Sequence, residues 1–210
     1  MGDLERIMSR VVSGQALPRE LIVLRRTIES AQDIRNILTL QESDDICRIA
    51  MNITELPDVV SLISTAINDD PNGNVGDGGI IKSGLSDELD RLKKDSTGAR
   101  QFIAALEEKQ RCETGIKNLR VGYNHVFGYY LEVSKSNISE VPDTYIRRQT
   151  LANAERYIIP ELKEYEALVL TAKDKINQLE QELYSRVCGQ ISEQVDRVRK
   201  LAKTLAQIDV

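Results

Sequence analysis

Tryptophan is absent from the 210-residue chain, and aromatic residues make up only 4% of it. A core built on large rings is therefore excluded, and an aliphatic, helix-rich core is expected. No stretch approaches the roughly 18 consecutive apolar residues of a membrane-spanning helix. The N-terminus also lacks the basic-then-apolar pattern of a secretion signal, so a cytoplasmic location is expected. Cys47, Cys112 and Cys188 are odd in number and far apart, with no C-x-x-C spacing, which argues against both a disulfide framework and a zinc site. His125 is the only histidine, so paired-His metal motifs are ruled out, and a solvated turn residue is its simplest reading. No pair of carboxylates and no nucleophile with a base stands out, and the chain is expected to be non-catalytic. A net charge of -5 argues at first against a nucleic-acid partner, because such proteins usually carry a basic excess.

Gly76-Asp77-Gly78-Gly79-Ile80-Ile81-Lys82-Ser83 has the outline of a phosphate-binding loop. That pattern needs Gly immediately before the Lys, where the backbone must wrap closely around phosphate, and Ile81 stands there instead. A connecting turn is predicted, and no nucleotide or metal cofactor is expected in these residues.

What is present is largely helical periodicity. Residues 3–68 read as short amphipathic helices, with Pro18 and Pro57 at helix starts and Leu21, Leu24, Ile28, Ile34 and Leu38 on one stripe. The turn formers from Asp69 to Gly79 make the strongest boundary. Ser86 then caps a helix, with Asp87 and Glu88 at its positive end, whose stripe through Leu89, Leu92, Ala99, Phe102, Ile103 and Leu106 reaches about Gly115. A second stripe starts at Pro160 and steps by three and four through Leu162, Tyr165, Val169, Ala172, Ile176, Leu179, Leu183 and Val187. That is a coiled-coil seam, or the packed face of an ordinary helical hairpin. It resumes at Ile191, giving a helix of ~70 Å if Gly189 bends it without breaking it.

Between the two stripes the composition changes. Six of the seven Tyr lie between Tyr123 and Tyr165, and alternation over 119–123 and 129–133 predicts a hairpin turning at Asn124–Gly128. Residues 146–151 and 156–159 predict a second pair, turning at 152–155. The fold class expected is mainly α: long helices carrying a small inserted α+β module. The divisions are 1–115, 116–160 and 161–210. Residues 116–160 hold six basic and four acidic side chains, so the module is +2 and the remainder -7. Salt screens charges beyond about 8–10 Å, so the acidic helices need not repel a ligand at the module. Lys, Arg, Asn, Ser and Thr donors suit phosphate contacts, and a solvated charged surface would have the same composition.

Gly115-Ile116-Lys117-Asn118-Leu119-Arg120-Val121-Gly122-Tyr123-Asn124 and Gly128-Tyr129-Tyr130-Leu131-Glu132-Val133 resemble the clamp of MutS-type DNA mismatch repair proteins. The resemblance is close through Arg147-Arg148-Gln149-Thr150-Leu151 and the run Asn153 to Glu166. Asp3-Leu4-Glu5-Arg6 and Pro18-Arg19-Glu20-Leu21 are similar to that family's core helices, and Asp77 to Gly84 to its connector. The family's Phe-x-Glu wedge and P-loop ATPase have no counterpart here, and Met1-Gly2 looks like a cloning start. A lever-and-clamp segment is therefore expected, with ATP and Mg²⁺ bound elsewhere in a parent protein. The resemblance implies that the clamp meets the backbone of double-stranded DNA through Arg148, Thr150, Asn153 and Arg156, with Lys135, Ser134 and Asn137 in support. It implies as partners a second copy in a homodimer and a MutL-type repair protein. The Asn124–Gly128 turn departs from the family pattern. The alternative is a coiled-coil interaction scaffold that pairs through the 162–187 seam without binding DNA.

Overall fold

The computed structural model describes residues 3–71, 73, 75–124, 126 and 128–208. The expectations for His125 and for Met1-Gly2 concern positions outside that set. The chain divides into two compact units, one of residues 1–87 with 177–210 and one of residues 88–176.

The first unit is helical. Helix α1 (Leu4–Val12) starts at Asp3, whose carboxylate accepts the Arg6 N–H at 2.9 Å. Helix α2 (Pro18–Leu38) has the Pro at its first turn that the sequence predicts, and Glu20 closes that turn by accepting the Leu17 N–H at 2.8 Å. At 21 residues it is longer than the short helices expected. Helices α3 (Asp44–Met51) and α4 (Pro57–Ala66) follow. The core gathers Ile7, Met8, Leu21, Leu24, Ile28, Leu56 and Ile63, all buried. Tyr184 donates to the Ala16 carbonyl at 2.8 Å, and Arg197 reaches Asp58 at 2.6 Å, so the returning chain is tied to this core by polar contacts as well.

The Gly-rich segment after α4 is a turn, as predicted, but a turn organised around an anion. Glu180 is fully buried, and its carboxylate accepts N–H bonds from Gly76 at 3.0 Å, Gly78 at 2.7 Å, Ile80 at 2.9 Å and Ile81 at 3.1 Å. Gly76 and Gly78 have φ of 101° and 85°, a backbone region that glycine enters without strain. With these amides engaged by a side chain of the same chain, the segment does not fit a nucleotide phosphate.

In the second unit, helix α5 (Asp87–Thr114) begins directly after Ser86 and stops at Gly115, whose φ of 76° takes the left-handed position that ends many helices. Strands β1 (Arg120–Asn124), β2 (Gly128–Ser134), β3 (Ile146–Thr150) and β4 (Ala154–Ile158) form an antiparallel sheet in the order β1-β2-β4-β3. A 3-10 helix, Lys135–Glu140, follows β2. The inner face buries Leu131, Val133 and Tyr157 in a core with Ile103, Leu106 and Leu162. Phe102 stacks on Tyr165 with ring centroids 3.6 Å apart. A boundary at 116 and 160 isolates the sheet alone, whereas this core draws in the helical residues 88–115 and 161–176.

Helix α6 (Pro160–Ser192) contains Gly189 without interruption, and α7 (Val195–Ile208) starts afresh. The break thus comes after Ser192 and not at Gly189, and the single ~70 Å helix is not formed. Its cause is a tightened last turn, in which the Gln194 N–H bonds the Ile191 carbonyl at 3.0 Å. Of the seam positions, Leu162, Val169, Ala172, Ile176, Leu183 and Val187 are buried within the chain, so they do not offer a free face for pairing between chains. No helix among the described residues is long and apolar enough to cross a membrane.

Gly128 has a positive φ of 76°, and a Cβ there would collide with the carboxylate of Glu166, which also accepts the Tyr129 N–H at 3.1 Å. Gly128→Ala is expected to lower stability by about 2 kcal/mol or more, from the left-handed backbone and the displaced carboxylate together. Urea unfolding measures it, and a change within experimental error would contradict this reading of the turn.

Candidate nucleic-acid interface

Strand register decides which polar side chains meet. Arg120 pairs with Glu132 and Ser134 with Ala154, so the start of β1, the end of β2, the end of β3 and the start of β4 lie at one end of the sheet. That end carries Asn118, Ser134, Lys135, Asn137, Thr150 and Asn153. The Lys135 N–H bonds the Asn153 carbonyl at 3.1 Å, joining the two turns directly. Ser134 and Ser136 hydroxyls are 2.8 Å apart, Ser136 donates to Asn137 Oδ1 at 2.7 Å, and Asn118 donates to Ser134 Oγ. Asn137 donates in turn to Glu140 at 3.1 Å. Lys117, Lys135 and Asn153 are exposed. The arrangement is a small pre-ordered net of hydroxyls and amides bordered by two ammonium groups, the donor set that suits phosphate oxygens.

The arginines are not equivalent. The β3–β4 ladder slips by one residue between Arg147 and Gln149, which makes Arg148 the extra residue of a bulge on an edge strand. A bulge turns its side chain away from the sheet, and Arg148 is exposed, with no ion pair among the described residues. Arg147 is shared with Glu155 at 3.4 Å. Arg156 is committed three ways: to Glu132 at 2.9 Å, to Gln149 at 3.0 Å, and over the Tyr130 ring at 4.2 Å from its centroid. Tyr130 lies across Gly122, where a Cβ would come within 2.6 Å of the ring, so the glycine makes room for this stack. The geometry gathers Ser134, Lys135, Asn137, Thr150 and Asn153, sets Arg148 on the adjoining edge, and holds Arg156 on the outer face of the sheet.

Beneath Thr150 lies a buried carboxylate. Glu155 accepts from the Tyr157 hydroxyl at 2.6 Å and lies 3.5 Å from the Thr150 hydroxyl. The Tyr157 bond, followed by Arg147, holds its carboxyl below the ordinary range. Tyr157 is pushed up to about 12, by burial first and then by Glu155. Among the described residues no three His, Cys, Asp or Glu side chains gather as a metal site.

Residues 84–175 match MutS family domain IV. Over 99% of its length the chain is 46% identical to the DNA mismatch repair protein MutS of Caldanaerobacter subterraneus subsp. tengcongensis and 46% identical to that of Acetivibrio thermocellus. It is 42% identical to the MutS of Methanococcoides burtonii. The chain is a segment of the MutS family. It spans 24% of the length of these relatives. The domain IV match and the second compact unit, 88–176, nearly coincide, so the MutS domain comprises the sheet together with the helical residues that bury its inner face.

Two side chains at this end of the MutS sheet were not singled out from sequence: Lys117 and Asn118. Their signal was faint, a Lys-Asn pair just before the alternating strand pattern, and only the pairing of β1 with β2 brings them beside Ser134.

The buried phenols of this MutS segment fix a pH dependence. Burial pushes Tyr145 up to about 12, as it does Tyr157, and raises Tyr184 further still, all from an ordinary value near 10. A group whose folded value is raised contributes stability that is complete below its unfolded value and is lost as pH climbs toward the folded one. Stability is therefore expected to fall between pH 10 and about 12. An ultraviolet titration at pH 11 should show these three of the seven Tyr still largely un-ionised while far-UV dichroism stays native. All seven ionising together near pH 10 in the folded chain would contradict it.

Proposed function

We propose that this chain is the non-catalytic lever-and-clamp segment of a DNA mismatch repair protein, and that the Ser134–Asn153 end of its sheet meets the backbone of duplex DNA without reading base sequence. The observation that carries this is the convergence of Lys117, Asn118, Ser134, Lys135, Asn137 and Asn153 at one end, with Arg148 turned outward beside them. Donors of this kind contact phosphate and sugar, which position a protein on a duplex but carry no sequence information. Three exposed cations, Lys117, Lys135 and Arg148, are assigned to this contact, and so few suit contacts that are weak and exchangeable along the DNA. In a parent homodimer two such clamps would enclose the duplex, and the helices would couple DNA engagement to an ATPase that binds ATP and Mg²⁺ outside these residues. A MutL-type protein would respond to that state.

Fluorescence anisotropy with short duplexes at low salt tests the reading. Binding should be weak, because a lone clamp lacks the gain of simultaneous engagement, commonly ~10²-fold or more. It should change little with base sequence, and log affinity should fall with log salt at a slope of about -3, as three phosphate contacts imply. Lys135→Glu with Arg148→Glu should weaken it at least about tenfold and flatten the slope by about 2. Arg156→Glu would place a carboxylate against Glu132 and lower stability before it lowers affinity. Binding unchanged by the double reversal would overturn the site.

A further inference from the structure

The segment Gly76–Ser83 failed as a nucleotide loop for want of one glycine, yet the backbone of its residues 76–81 is a receptor for an oxyanion. Four N–H groups converge on one carboxylate: Gly76 and Gly78 on Oε2 of Glu180, Ile80 and Ile81 on Oε1. Two of these amides fall on each oxygen, which suits the lone-pair sites that a carboxylate offers. The positive φ angles of Gly76 and Gly78 are backbone conformations that glycine adopts without strain, and they let alternate amides of the segment turn inward onto the anion. A second set of bonds holds the end of the segment: the Asn68 N–H to the Ile80 carbonyl and the Lys82 N–H to the Ala66 carbonyl, each at 2.9 Å.

Chain position gives this pairing its interest. The segment is the last loop of the first unit before α5 begins at Asp87, and Glu180 lies one helical turn after α6 enters the same unit at Asn177. One side chain thus joins the departing chain to the returning chain inside a single unit.

We propose that residues 76–81 form a small-oxyanion site whose built-in occupant is Glu180, and that this pairing is a latch. With the carboxylate seated, the Gly-rich strap is fixed to α6. With it removed, the strap opens locally, and an external carboxylate can take its place. The opening is graded, larger at Gly76 and Gly78 than at Ile80 and Ile81, because the bonds to Ala66 and Asn68 remain.

Amide hydrogen exchange on the full 210-residue chain, with formate as the probe and chloride at equal ionic strength as the control, tests this. In Glu180→Ala, exchange at Gly76 and Gly78 should quicken at least about tenfold, the loss expected when a hydrogen bond to a charged acceptor is removed. Formate should slow it again in a saturable way, chloride should not, and the parent chain should respond to neither. Retained protection, or a folded variant indifferent to formate, overturns the proposal. Should Glu180→Ala not fold by itself, formate-dependent recovery of its native dichroism supports the latch, and failure of formate to restore it counts against. Glu180→Gln gives an independent reading at nearly constant volume. Its one carbonyl oxygen should keep one pair of amides protected and release the other, whereas equal protection of all four would contradict the site.

Discussion

Backbone amides that neither helix nor strand can satisfy are, in this chain, taken up by carboxylates projecting from the two long helices. Glu107 of α5 accepts the Val121 N–H at 2.8 Å, Glu166 of α6 accepts the Tyr129 N–H at 3.1 Å, and Glu180 of α6 accepts four more. An amide left unpaired away from water costs as much as a lost hydrogen bond, and an ionised acceptor makes a stronger bond than a neutral one. Short strands and a Gly-rich strap can therefore be held by helices that contribute no strand of their own. Part of the acidic surplus of the helices is structural in this sense, which is why net charge misrepresents the surface offered to a ligand.

The same device protects the sheet. Glu107 and Arg111 stand one turn apart on α5 and pair at 2.6 Å. One accepts the Val121 N–H and the other donates to the Leu119 carbonyl at 2.8 Å, as a neighbouring strand would. The β1 edge is thus occupied where it passes α5. At the other edge, the β3 bulge and two arginines discourage pairing with another chain. With both edges managed and the inner face buried, the polar end and the outer face remain for binding. On the outer face Arg156, Glu132 and Tyr130 are already engaged with one another, and the end is left with the exposed Lys117 and Lys135 beside the hydroxyl and amide net.

Local signals carried much of this into the sequence. Pro18, Pro57, Ser86 and Gly115 marked helix ends because caps and breakers act over a few residues, and the alternation on either side of Asn124–Gly128 announced a hairpin. Features set by distant partners were not legible. Glu180 is one more acid on an amphipathic helix until a loop 104 residues earlier in the chain is folded against it. Arg147 and Arg148 are adjacent and chemically alike, and only the slip in the β3–β4 register turns one toward Glu155 and the other outward. Arg156 looked available because its partners, Glu132 and Tyr130, belong to another strand. Gly189 was the one position where the long helix could bend or break, but a lone glycine inside a packed helix costs only about 1 kcal/mol, too little to end it, and the break falls after Ser192.

The claim with most at stake is that one end of the sheet, and not its outer face or its hairpin tip, meets DNA. Amide and side-chain chemical-shift mapping of the chain against a short duplex at low salt addresses that directly. Perturbations should cluster at Lys117, Asn118, Ser134–Asn137 and Arg148–Asn153 and fade as salt is added. Shifts confined to Tyr123–Tyr129, or none at protein concentrations where binding is saturated, would contradict the account.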